Sequence, residues 1–96
     1  MAAKNIVARL QGAKDELHRH HVHELWPFGS VLRGDLHANS DIDVLVDFDA
    51  PVSLLDLVRL RWYLESLLNR SVDVGTRDAL KPRVRDKVLR EAIRAV

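Results

Sequence analysis

The sequence predicts an α/β fold in which three short strands bury one face under helices. Three observations predict it. Ile42, Val44, Val46 and Phe48 alternate with polar neighbours, and that period of two marks a half-buried strand. Near both ends, apolar residues recur at spacings of three and four: Ile6, Leu10, Ala13 and Leu17, then Val84, Val88, Leu89, Ala92, Ile93 and Val96. That is the stripe of an amphipathic helix. Between these ends, the apolar run Val22–Phe28 and the V-D-V of Val72–Val74 supply two more strands. The order is helix, strand, short helix, strand, helix, strand, helix.

The first helix is expected over Ala2 to about His20, with Gly12 as its weak point. Val22 to Phe28 follows as the first strand. Pro27 there requires a position whose amide the ladder does not need, at a strand end or edge. Trp26 reads as a core residue. Ser30 caps a short turn over Val31–Arg33, which Gly34 stops. Asp35–Asn39 is a polar loop, and the second strand runs from about Asp41 to Phe48. Ala50-Pro51 turns the chain. Ser53, with Asp56 three residues on, opens a helix that ends near Asn69. Its apolar side is drawn from Leu54, Leu57, Val58, Leu64, Leu67 and Leu68. Ser71–Gly75 is the third strand. Pro82 suits the first turn of a last helix, expected to run to the chain end.

Ninety-six residues are expected to form one domain, residues 1–96. With no cysteine, disulfide frameworks and thiolate metal sites are excluded. No apolar run reaches the length of a membrane span, and a cytoplasmic location is expected. Net charge is only +1, yet it is unevenly placed. From Asp35 to Asp56 there are six Asp and no Lys or Arg; from Arg77 to Arg94 there are seven basic and three acidic residues. An acidic half for cations beside a basic half for polyphosphate suits a nucleotide enzyme, although a basic helix face is also an ordinary solvated surface. No aromatic residues interleave that basic helix, which argues against a nucleic-acid partner.

The chemistry concentrates between Phe28 and Phe48. Asp41 and Asp43 are two apart at the head of a strand, so they project from the same side, opposite the core face. Neighbouring carboxylates repel unless a cation sits between them, and Mg²⁺ is held by such oxygen ligands together with substrate phosphates. The alternative is a solvated strand end. Gly29-Ser30 favours the chemical reading. Glycine lets the backbone approach a ligand, and a capped helix start attracts an anion. A phosphate-binding turn followed by a metal-binding strand is a nucleotide site in two pieces. The run His18–His23 lacks regular ligand spacing on a single element, and reads either as a solvated helix terminus or as a metal site.

Gly29-Ser30, ten residues, then Asp41-x-Asp43, with Arg33-Gly34 inside the spacer and Ser40 at its end, resembles the nucleotidyltransferase superfamily of DNA polymerase beta. The short chain looks like the minimal nucleotidyltransferases, often encoded as antitoxin partners of HEPN-domain toxins. The resemblance covers about Leu25 to Gly75. It implies a small mixed sheet of the nucleotidyltransferase type and a third carboxylate on a later strand, the position matched by Asp73. It implies two Mg²⁺ ions at Asp41, Asp43 and Asp73, with Asp73 helping to deprotonate the acceptor. Gly29 and Ser30 would grip the β and γ phosphates of ATP. Arg33 is a candidate to neutralise the leaving pyrophosphate, and Ser40 either binds phosphate or caps the turn before the strand.

The subgroup resemblance implies ATP as donor and a tyrosine hydroxyl of a HEPN toxin as acceptor, so that AMPylation silences the toxin in the manner of a type VII-like antitoxin. A binding-only antitoxin is the rival reading. Transfer to a small molecule such as an aminoglycoside is a third, although those enzymes usually carry an additional domain.

Overall fold

The computed structural model of the protein describes residues 3–28, 41–76, 83, 86, 90 and 94–96. In chain order the elements are α1 (Ala3–Gly12), α2 (Lys14–Arg19), β1 (Val22–Phe28), β2 (Ile42–Phe48), α3 (Leu54–Leu68) and β3 (Val72–Thr76). The sheet order is β1-β2-β3. β1 runs antiparallel to β2 and β3 parallel to it, so the sheet is mixed as expected. β2 is central because its alternation lets Ile42, Val44 and Val46 enter the core while a strand pairs on either side. The short helix expected at Val31–Arg33 and the loop Asp35–Asn39 lie outside the described residues.

The first helix departs from expectation. It is two helices, broken at Ala13 (φ −101°, ψ 15°), whose N–H donates to Leu10 O at 3.1 Å. Gly12, just before the break, carries no side chain to hold the backbone in one helical register. The apolar stripe survives the break: Ile6, Leu10, Ala13 and Leu17 are all buried. At the end of α2, His21 takes a left-handed φ of 67° and turns the chain into β1.

α3 forms as its signals specify. Ser53 Oγ accepts from Asp56 N–H at 3.2 Å, and the Asp56 carboxylate accepts from Ser53 N–H at 2.8 Å, a complete capping box. Asn69 closes the helix in the left-handed conformation. The buried row is Leu60, Leu64 and Leu68. Leu54, expected on the apolar side, is instead 77% exposed. It lies in the first turn, off the i, i+4, i+8 row that meets the sheet.

The two sheet faces differ. The helix-covered face carries Leu25, Ile42, Val44, Val46 and Val72. At the middle of the opposite face, Trp26 pairs across strands with Leu45, and both are buried, at 8% and 0% exposure. Trp26 is therefore a core residue, on the side that the alternation assigns to polar groups.

The chain end also differs from expectation. Arg83, Asp86 and Arg90 have helical backbone, but Arg94–Val96 do not. Ala95 N–H donates to Leu25 O at 2.8 Å, and Leu25 N–H donates to Val96 O at 3.3 Å. β1 is otherwise an edge, and its outward amides need partners. Leu25 bonds outward, so Pro27, two residues on, also faces outward and costs the β1–β2 ladder no hydrogen bond.

Candidate active site

β2 and β3 bring two of the expected carboxylates together. The parallel register sets Asp43 directly opposite Asp73, and Ile42 opposite Val72. Ile42 and Val72 point into the core, so Asp43 and Asp73 share the other face, with backbones about 5 Å apart. Asp43 is half-buried, whereas Asp73 is exposed. Asp41 is exposed, one residue before β2 begins.

The position of Asp73 is fixed by its neighbours. Ser71 O accepts from Ile42 N–H at 2.9 Å, tying the start of β3 to β2. On the outer side, Val72 N–H donates to the Glu65 carboxylate at 3.1 Å. α3 thus holds the strand that carries Asp73.

The donor set suits a hard cation: carboxylate oxygens, no sulfur, and adjacent negative charges that a cation would offset. Among the described residues, which include Asp41, Asp43 and Asp73, no group of three or more His, Asp and Glu side chains gathers as a metal cluster, so the three expected carboxylates are not drawn together as one set. The histidines go to separate neighbours. His20 stacks on Tyr63 with ring centroids 5.4 Å apart, His21 lies 3.9 Å from Asp49, and His23 lies 3.3 Å from Asp47. Burial, and secondly the charge of Glu16, raises the Tyr63 hydroxyl above its ordinary pKa. Gly29, Ser30, Arg33 and Ser40 lie outside the described residues.

Reading the sequence did not mark a cavity of about 460 Å³ at the far end of β2 and β3. Val46, Phe48, Val52 and Thr76 line it, with Asp47 and Asp49 among its walls. Its signal was present in the acidic run, where Asp47 and Asp49 continue the series begun at Asp41. Asp47 is four residues from Asp43 on the same strand, about 13 Å away.

The nucleotidyltransferase domain family model matches residues 10–95. The protein adenylyltransferase MntA of Thermococcus cleftensis is 39% identical over 94 residues, 97% of this chain and 95% of the relative. A solved structure assigned to the minimal nucleotidyltransferases superposes with a TM-score of 0.83 at 41% identity, covering 97% of this chain and 95% of that one. A tri-AMPylated Shewanella oneidensis HEPN toxin in complex with an MNT antitoxin gives a TM-score of 0.61 at 16% identity, covering 91% and 71%, a likeness of fold. With that match, near-complete coverage by close relatives, and a mixed sheet that sets Asp43 against Asp73, this chain belongs to the nucleotidyltransferase domain family, and within it to the minimal nucleotidyltransferases.

Proposed function

We propose that this protein transfers AMP from ATP to a hydroxyl of a partner protein, a tyrosine of a HEPN-domain toxin, and so acts as a type VII-like antitoxin. The observation that carries the reading is the Asp43–Asp73 pair on one sheet face, in a chain so similar to a protein adenylyltransferase. The toxin as partner is supported by the fold shared with the antitoxin of a HEPN complex.

Asp41, Asp43 and Asp73 would hold Mg²⁺, as two ions. When bound, the metal supplies Lewis-acid stabilisation of the phosphoryl oxygens and of the attacking and leaving groups. Gly29 and Ser30 hold the β and γ phosphates, and Arg33 offsets charge on the departing pyrophosphate. Ser40 adds a hydroxyl that binds phosphate. Asp73, exposed and beside Asp43, accepts the proton of the acceptor hydroxyl. The acceptor oxygen bonds to the α phosphorus, the bond from that phosphorus to the bridging oxygen breaks, and pyrophosphate leaves.

The test is intact-mass spectrometry of the cognate HEPN protein after incubation with this protein, ATP and Mg²⁺. One or more added AMP units on tyrosine, absent with Asp43→Asn, are expected. No added mass, with full neutralisation of the toxin in the absence of ATP, would overturn catalysis and leave a binding-only antitoxin.

A further inference from the structure

Gly75 stands inside β3, where a residue without a side chain weakens a strand. The usual reasons for a strand glycine do not apply to it. Pairing with β2 runs unbroken through this position, with Leu45 opposite Gly75 and Val46 opposite Thr76, so there is no bulge. Its φ lies outside the left-handed region that favours glycine. Apart from its chain neighbours, a Cβ built on it would meet only Val44 O among the described residues, at an ordinary 3.9 Å. Neither the backbone conformation nor packing against the described residues excludes a side chain. The remaining reason for a glycine in a strand is the close approach of a ligand or another chain.

The position belongs to the face of the proposed transfer site. Asp43 pairs with Asp73 and Leu45 with Gly75, so Gly75 shares the face of the two carboxylates, one row further along β3. Two residues of a strand span about 6.6 Å. In the row Trp26–Leu45–Gly75 the first two side chains are buried and apolar, whereas Gly75 is partly exposed. β3 is the last strand of the sheet among the described residues. The bare backbone of Gly75 therefore makes a shallow slot at the rim of the sheet. The Trp26–Leu45 pair lies on its inner side, and exposed Asp73 lies at one end.

We infer that Gly75 is a specificity-determining residue for the acceptor: its bare backbone seats the flat ring of a phenol whose hydroxyl rests at Asp73. The inference builds on the AMP-transfer reading above. In that reading the triphosphate lies toward β1, since Gly29-Ser30 directly follows Phe28, the residue opposite Asp43. The acceptor then comes from the β3 side, where Asp73 is the exposed carboxylate. A tyrosine carries its hydroxyl at the far end of its ring. With that hydroxyl at Asp73, the ring occupies the adjoining row, which is Gly75. A serine or threonine hydroxyl sits close to its own backbone and gains nothing from the slot. A side chain at position 75 would fill the space that the ring needs.

Gly75→Ala and Gly75→Val test this, assayed with the cognate HEPN protein, ATP and Mg²⁺. Valine favours a strand, so both variants should melt at the wild-type temperature or above it. AMP addition at saturating ATP should fall in the order glycine, alanine, valine, by roughly a hundredfold with valine, because a small displacement of the acceptor is enough for such a loss. KM for ATP should hold in both variants. Wild-type rates in Gly75→Val would overturn the slot and leave AMP transfer standing. A raised KM for ATP would give the space to the nucleotide, and a loss of rate that tracks a fall in melting temperature would make the glycine structural; either overturns the inference. No AMP addition by the wild type would overturn the transfer reading, and the acceptor slot with it.

Discussion

Asp43 and Asp73 stand opposite each other on adjacent parallel strands, one half-buried and one exposed, on the face turned away from the helical core. Neither side chain supports the core, and each sits beside a like charge. Asp43→Asn and Asp73→Asn should therefore lower AMP transfer by about a hundredfold or more without lowering the melting temperature. Transfer assays and thermal melts on the same preparations check this. Full activity in Asp73→Asn would remove it as the proton acceptor.

Ser30 is proposed to give the triphosphate one hydrogen bond to a charged oxygen. Such a bond contributes about 1.5–3 kcal/mol. Ser30→Ala should lower kcat/KM for ATP by roughly ten- to a hundredfold. Unchanged steady-state kinetics would take Ser30 out of the site.

Glu65 touches no reacting group in this scheme, yet it holds the backbone of Val72, the residue before Asp73. Glu65→Ala leaves that amide without its partner at the outer edge of β3. A loss of about 1–3 kcal/mol in stability is expected. If Glu65 also positions Asp73, kcat should fall while KM for ATP holds, and Glu65→Gln, which keeps an acceptor oxygen, should recover most of it. A purely structural role would move only the melting temperature.

Asp56 gives α3 a pH-dependent cap. Its carboxylate is held below the ordinary value of 3.8, first by the backbone N–H of Ser53 and then by the Ser53 hydroxyl. A depressed folded-state pKa contributes stability that is present above the unfolded value and lost as pH falls through the folded one. The stability advantage of the wild type over Asp56→Asn should thus be constant near neutrality and shrink below about pH 3.8. Ser53→Ala should cost about 1 kcal/mol at neutral pH. Urea titrations across this range would show an unchanging gap if the box contributed nothing.

Much of this was legible locally. The alternation of Ile42–Phe48, the Ser53–Asp56 cap and the V-D-V strand each specify their element within a few residues, and each formed. Burial and pairing were harder to read. Leu54 and Leu60 are both leucines on one helix, and only the angle at which α3 meets the sheet makes one exposed and the other buried. Trp26 and Leu45 lie on the polar side of the alternation, and only their cross-strand pairing shows that this face has an apolar centre.

The sequence by itself determined the element types, the spacing of Gly29-Ser30 to Asp41-x-Asp43, and the side of β2 on which Asp43 projects. Those properties depend on periodicity and on neighbours three or four residues away. Tertiary structure decided that Asp73, thirty residues downstream, lands opposite Asp43, because strand register is set by burying Ile42 with Val72 and by the bonds from Ser71 and Glu65. It also decided that the last residues leave the helix to pair with Leu25. An unpaired strand edge is satisfied by whatever backbone can reach it, and reach is a property of the folded chain.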